Sequence, residues 1–249
     1  MIKYAALTNR GIDRSENQDR IAVAGCIIET GGIEGETLDS LLAVVCDGVG
    51  GEASGARAAT LVGEAFTSID DEMRPVLSIF NQIERAEQSI RSEAEEHPEL
   101  SRMASTIAGV YIDKGEYIAF NVGDSRVYIA DGDGISTLSD DHTRAQAMVD
   151  ARLARSVDEL PPSAGSTLVR YLSSNAGRGV PAVRAGQTGE QPVRMVICSD
   201  GAYRKLGSGS LRAALEGENS LLERCKALRT EAVEAGSGDD ISVILVEAD

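Results

Sequence analysis

Short apolar runs that stop at, or start from, an aspartate constrain this chain more than any other feature. Leu41-Leu42-Ala43-Val44-Val45-Cys46 leads straight into Asp47, Met195-Val196-Ile197-Cys198-Ser199 into Asp200, and Phe120-Asn121-Val122-Gly123 into Asp124. Asp239 stands just before the last run, Ile241-Ser242-Val243-Ile244-Leu245-Val246. Runs of this length and β-branched content read as strands buried in a core. A buried strand delivers its end residue to the rim of that core, so these ends can bring carboxylates together, depending on strand order and direction. Crowded carboxylates raise one another's pKa, and they persist as anions only with cations between them.

Ligation by oxygen alone suits Mg2+ or Mn2+ rather than zinc or copper. Two such ions about 4 Å apart form a clamp suited to hydrolysing a phosphate ester. Taken singly, an Asp-Gly pair is an ordinary turn; their joint occurrence after apolar strands carries the reading.

The rest of the chain reads as alternating strands and helices. Lys3 to Leu7 and Asp19 to Ile28 are strand-like, with Gly31, Gly32 and Gly35 marking a turn. A helix is expected from Ser54 to about Ile69, and a second from Pro75, a good first helical residue, to a stop near His97-Pro98. Strands return from Ser105 to Leu138, with a hairpin turn at Asp131-Gly132-Asp133-Gly134. That turn is not a calcium loop, because His142 stands where such a loop needs its bidentate Glu. A helix is expected from Thr143 to about Ser156, and the Ser-, Gly- and Pro-rich stretch from Pro161 to Gly189 reads as a long, partly mobile excursion. Helices over Ser210–Leu215 and Ser220–Ala235 precede the closing strand. With no internal repeat and no dividing linker, one domain over residues 1–249 is expected.

A formal charge of -16 over 249 residues gives no general attraction for nucleic acid or an anionic membrane. No apolar run is long enough to cross a bilayer. No basic region followed by an apolar stretch opens the chain, so no signal peptide is read and a cytoplasmic protein is expected. Cys26, Cys46, Cys198 and Cys225 have no CxxC spacing and are expected as free thiols. Cys26, Cys46 and Cys225 have no Arg six residues on; Cys198 has Arg204 at that spacing but sits inside an apolar run, where Cys reads as a small core residue rather than a nucleophile. His97 and His142 have no partner at zinc-ligand spacing.

Six motifs, in order along nearly the whole chain, resemble those of the protein phosphatase 2C (PPM) family in its compact bacterial form. They are Gly11 to Asp19 with Arg14 inside, Asp47-Gly48-Val49-Gly50-Gly51, Gly123-Asp124-Ser125-Arg126, Asp141-His142, Cys198-Ser199-Asp200-Gly201, and Gly236 to Asp240. The resemblance implies a four-layer αββα sandwich, two antiparallel sheets flanked by helices. It also implies metal-dependent hydrolysis of phosphoserine and phosphothreonine by attack of metal-activated water, without a phosphoenzyme. The substrate would be a phosphorylated protein, a Ser/Thr kinase or its targets, and the enzyme a monomer.

The resemblance assigns roles residue by residue. Asp47 would bridge two ions, with the Gly48 carbonyl on one of them, and Asp200 and Asp239 would complete the other site. Asp19 would hold the waters of the ions, and Arg14 would grip phosphate with its guanidinium fork. Asp124, with Asp200, would hold a third, weaker ion. The segment from about 145 to 189 stands where the family has its flap but matches it poorly apart from Leu168-Val169-Arg170-Tyr171-Leu172, so it gives no reading of substrate choice.

Four departures stand out. Gln18 replaces a Glu near the waters of the ions, and Val49 replaces a histidine proposed as general acid in eukaryotic members. Asp240 replaces Asn, a change read as harmless, and Arg204 replaces an acidic residue near the third ion, which puts that ion in doubt. His142 reads as structural rather than catalytic. The residues leave two alternatives open: a binding or sensing module with little activity, or a phosphatase of small phosphate esters.

Overall fold

The computed structural model describes residues 1–69, 74–132, 134–174, 179–188 and 192–249. From the amino terminus, β1 (Ile2–Asn9) is followed by a hairpin, β2 (Asp19–Val23) and β3 (Cys26–Ile28). Next come β4 (Gly31–Thr37), the long apolar β5 (Ser40–Val49), and helices α1 (Glu52–Ala65) and α2 (Pro75–Glu96). Five strands follow: β6 (Ala104–Ser105), β7 (Ile107–Asp113), β8 (Glu116–Val122), β9 (Arg126–Asp131) and β10 (Gly134–Thr137). Beyond them lie α3 (Arg144–Asp150), α4 (Pro162–Gly165), β11 (Leu172–Ser173), β12 (Ala182–Gln187) and β13 (Val193–Cys198). The chain closes with α5 (Asp200–Tyr203), α6 (Ser208–Glu216), α7 (Leu221–Glu234) and β14 (Ile241–Ala248).

The strands form two antiparallel sheets. One has six strands in the order β10-β9-β13-β14-β1-β4. The other has eight: β11-β6-β5-β7-β8-β12 in order, with β2 on β5 and β3 on β2. Three apolar clusters define the layers. Ile21, Val45 and Val110 of the eight-stranded sheet meet Met195, Ile197 and Ile244 of the other between the sheets. Val62 of α1, Phe66 just beyond its end, and Ile79 and Ile83 of α2 cover the outer face of the eight-stranded sheet, where Phe66 stacks on Phe120 at 5.5 Å. Leu211 of α6 and Leu221 and Leu228 of α7 cover Leu7, Val196 and Leu245 on the far side. The order is helix, sheet, sheet, helix.

This layering explains why β5 shows no polar alternation. Val44 and Cys46 face the helices while Ala43 and Val45 face the other sheet, so both faces are buried. Each fully buried Val, Leu, Ile or Phe contributes about 1.5–3 kcal/mol. At the start of α7, Ser220 and Glu223 form a reciprocal capping box. No helix among the described residues is long and apolar enough to cross a membrane.

The structure corrects several boundaries. Gly31, Gly32 and Gly35 are not a turn but part of β4, paired along β1. Glycine suits this strand because the Tyr4 ring crosses where a side chain on Gly35 would sit, its hydroxyl 2.6 Å from an added Cβ. The run from Asp19 to Ile28 is broken at Ala24 and Gly25, which have φ of 48° and 80°. Helix α1 stops at Ala65, short of Ile69. Helix α3 stops at Asp150, well short of Ser156, because Arg152 turns into the left-handed region at φ 59°. The stretch from Pro161 to Gly189 is not a bare excursion: it holds α4, β11 and β12, and β12 pairs along β8 from Ala182 to Gln187. Its exposed, mixed composition on an edge hid that strand from periodicity. Residues 175–178 and 189 of this stretch lie outside the described residues. Asp131 pairs opposite Gly134 as the hairpin reading expects, residue 133 lying outside the described residues.

Candidate metal and phosphate centre

The crossings between the two sheets build the site. The chain leaves the six-stranded sheet at Asn9 and enters the other at Asp19, with Arg14 between. It crosses back from Val122 to Arg126, with Asp124 between. The end of β13 lies beside the start of β14, where the Ser199 amide donates to the Ser242 carbonyl at 3.0 Å, so Asp200 and Asp239 become neighbours. Asp47 comes from the end of β5, and β2 sets Asp19 directly opposite it.

One open cavity of about 840 Å³ is lined by Arg14, Gln18, Asp47 and Gly48 together with Asp124, Asp200 and Asp239. Every expected site residue except Asp19 faces it. Asp19 lies beneath, 1% exposed, and accepts from the Ser199 hydroxyl at 2.8 Å. Gly48 passes close under α1: a Cβ there would stand 2.2 Å from the Gly55 carbonyl oxygen.

The electrostatics are those of crowded anions. Burial pushes Asp47 well above the ordinary carboxylate range, and Asp19 and Asp200 push it further. Burial raises Asp19 to about 8, against the Ser199 hydrogen bond. Asp200 is also raised, by burial first and with Asp239 adding, and it hydrogen-bonds Asp47. Two carboxyl groups in that relation need a proton or a cation between them. Like charges directly opposite on paired strands are unfavourable in themselves, so the Asp19–Asp47 pairing makes sense as a cation cradle. The all-oxygen donor set of Asp47, Asp200 and Asp239, with the Gly48 carbonyl at hand, fits hard divalent ions.

Arginines are interleaved with this set. Arg14 Nε donates to Asp239 Oδ1 at 2.7 Å. Arg204 Nη2 donates to Asp124 Oδ2 at 2.9 Å, and its Nε lies 3.1 Å from Asp200 Oδ2. With its carboxylates turned onto guanidiniums in this way, the centre presents no cluster of three acidic, His or Cys side chains arranged as a metal cage among the described residues. The pair of core ions fits the donor chemistry; a third ion between Asp124 and Asp200 does not, because Arg204 occupies that relation.

Residues 14–235 match the family model described as protein phosphatase 2C. The chain belongs to this family. It is 24% identical over 251 residues to the serine/threonine protein phosphatase PstP of Mycobacterium tuberculosis, covering 99% of this chain and 45% of PstP, so it spans about half the length of that relative. It is 24% identical over 250 residues to the serine/threonine phosphatase stp of Listeria monocytogenes, with 97% and 94% of the two chains covered. The crystal structure of M. tuberculosis PstP shares the fold with a TM-score of 0.84 at 22% identity, both chains covered in full. The S. agalactiae serine/threonine phosphatase does so at 0.83 and 24%, again with full coverage. The PstP catalytic domain in complex with 2 manganese ions gives 0.80 at 22%, covering 100% and 99%.

Against the protein phosphatase 2C pattern, this chain's framework shows residues that sequence reasoning passed over. Asp240 was read as a harmless replacement, yet its two oxygens accept the amides of Gly11 and Gln18, each at 2.8 Å. It thereby fixes both ends of the loop that carries Arg14. Thr106 ties the Asp47 amide (3.2 Å) to the Ser125 hydroxyl (2.8 Å). Arg126 forks onto Asp141 at 2.9 and 2.6 Å and lies 3.9 Å over the Tyr203 ring, bracing the turn of Arg204. Arg126 and Asp141 each lie inside a family-like motif, Gly123 to Arg126 and Asp141-His142, a signal in the sequence that marks them as candidates for a pair. Nothing in the sequence singled out Thr106.

Proposed function

We propose that this chain is a metal-dependent phosphatase of phosphoserine and phosphothreonine in proteins, built as one domain over residues 1–249. The observation that carries the reading is the convergence of Asp47, Asp124, Asp200 and Asp239 with Arg14 on one open cavity, from separate stretches of chain. Asp47 would bridge two Mg2+ or Mn2+ ions, with the Gly48 carbonyl on one and Asp200 and Asp239 on the other. Bound there, such ions supply an activated water and neutralise phosphate charge.

The chain's own groups do the rest. Arg14, held at the rim by Asp239 through Nε and Nη2, would grip the phosphate through its guanidinium. Asp19, fixed by Ser199, would orient water from below. Val49, 40% exposed at the rim, has no proton to give, so solvent would protonate the leaving oxygen. Cys46 and Cys198 are fully buried, and burial pushes both thiols up, Cys198 to about 12, which speaks against a cysteine nucleophile. Ser166, Leu168, Tyr171 and Ser173 reach the cavity from the segment of about 145–189, which supports its reading as a flap beside the substrate.

The test uses a phosphothreonine peptide and an aryl phosphate, each with Mn2+, Mg2+ or excess chelator. Peptide turnover with either ion, none in chelator, and recovery on adding Mn2+ are expected. Undiminished turnover in chelator overturns the mechanism, and turnover of the aryl phosphate alone overturns the protein substrate.

A further inference from the structure

Asp124 is 4% exposed and sits at the crossing between the sheets, where its carboxylate needs a counter-charge. Its partner is Arg204, at 2.9 Å. The same guanidinium reaches Asp200 at 3.1 Å, so one side chain bridges the two carboxylates. The bridge is built by the local fold. Arg204 follows Asp200 by four residues, and its amide donates to the Asp200 carbonyl at 3.0 Å, which stacks both side chains on one face of the turn. Tyr203, 8% exposed, anchors that turn under Arg126, and Arg126 is in turn forked onto Asp141. Arg204 thus stands on a braced support, and it also lines the cavity.

We propose that the Arg204 guanidinium is the resident cation between Asp124 and Asp200, so that this protein holds two divalent ions at its centre and no third. This rests on the phosphatase reading above and adds to it how the site is charged. A fixed monovalent charge replaces an exchangeable divalent one at that end of the cavity. The charge facing the phosphate there is then independent of metal concentration. A divalent ion placed between the same two carboxylates would meet the guanidinium at contact range, and the resulting repulsion weakens its binding about ten- to hundred-fold.

Mn2+ stoichiometry decides it, counted by electron paramagnetic resonance of free Mn2+ and by calorimetry on the whole chain. The wild type is expected to take up two ions, and Arg204→Asp a third, with circular dichroism confirming the fold of the variant. Three ions in the wild type, or two in both proteins, overturn the proposal. A second variant serves if Arg204→Asp fails to fold. Asp124→Asn is expected to leave the wild-type count and affinities unchanged, whereas loss of one ion from that variant shows a metal on Asp124 and overturns the proposal. Uptake of no ion by any of the proteins instead overturns the metal-dependent reading on which it rests.

Discussion

The imidazole of His142 accepts the Gly123 amide through Nδ1 at 3.1 Å, and the His142 amide donates back to the Gly123 carbonyl at 2.9 Å. This double clamp fixes the residue before Asp124. His142 also accepts the Val169 amide at 2.8 Å on its carbonyl, so the same residue ties the Asp124 crossing to the 145–189 segment. Nδ1 can accept only when it carries no proton. Burial lowers the imidazole to about 4, with the Arg170 guanidinium beside Nε2 acting in the same direction.

The pH dependence follows from that depression. Between about 6.5 and about 4 the unfolded chain binds a proton at His142 that the folded chain does not, so stability falls as pH drops through this window. His142→Asn keeps an acceptor near Nδ1 and removes the titration, so its stability relative to the wild type should rise as pH falls from 7 to 5. His142→Ala should cost about 1–3 kcal/mol at pH 7, because it leaves the buried Gly123 amide without an acceptor. Urea unfolding of the three proteins at both pH values checks this; parallel losses in wild type and His142→Asn would show that the ring does not titrate.

Asp47→Asn separates charge from shape. It should abolish turnover while the chain stays folded, since it removes the anion meant to be shared by two ions but keeps the volume. In excess chelator the variant should be more stable than the wild type at pH 8, because it removes a buried carboxylate crowded by Asp19 and Asp200. The sign is that of a raised carboxylate: with Asp19 at about 8 and Asp47 above its usual range, the fold retains protons that the unfolded chain releases above about 4. In chelator, the stability of the wild type relative to Asp47→Asn should therefore fall as pH rises from 5 to 8. Thermal melts across that range test both statements, and a less stable Asp47→Asn would show that the carboxylates are not crowded.

Arg14→Ala should raise KM more than it lowers kcat, because a fork on the phosphate acts in the ground state and the transition state alike. A lost charged hydrogen bond of about 1.5–3 kcal/mol corresponds to a fall in kcat/KM of roughly ten- to hundred-fold. Arg14→Lys should recover only part, for want of the planar fork. Phosphopeptide kinetics on the three proteins would return Arg14 to a plain Asp239 salt bridge if neither constant moved.

The strands that end in aspartate were legible because both their faces are buried, leaving runs such as Leu41–Cys46 without polar interruption. The residues at their ends could be named for the same reason. What sequence could not supply is which side chains hold one another, since those bonds join distant segments: Ser199 to Asp19, Arg204 to Asp124, His142 to Gly123. Edge elements were lost too. Strand β12 lies at a sheet edge with a mixed pattern, and in β4 Gly35 is crossed by the Tyr4 ring while Gly32 lies against Leu222 and Leu7. In both cases packing against a neighbour outweighs the propensity that a periodicity reading relies on.

Asp240 supplies the sharpest disagreement between the family pattern and this chain. The pattern has Asn at this position, which would make Asp240→Asn a return to type. Here Oδ1 accepts the Gly11 amide and Oδ2 the Gln18 amide, each at 2.8 Å, with the side chain 4% exposed. An asparagine has one acceptor oxygen, so one of the two amides would face an NH2 group instead. The substitution should cost about 1–3 kcal/mol. The loop between Gly11 and Gln18 carries Arg14, so loosening one end should also raise KM for phosphopeptide while leaving Mn2+ affinity close to wild type. Denaturant unfolding with phosphopeptide kinetics on Asp240→Asn makes the test, and wild-type stability and KM would mean that a single amide contact suffices to hold the loop.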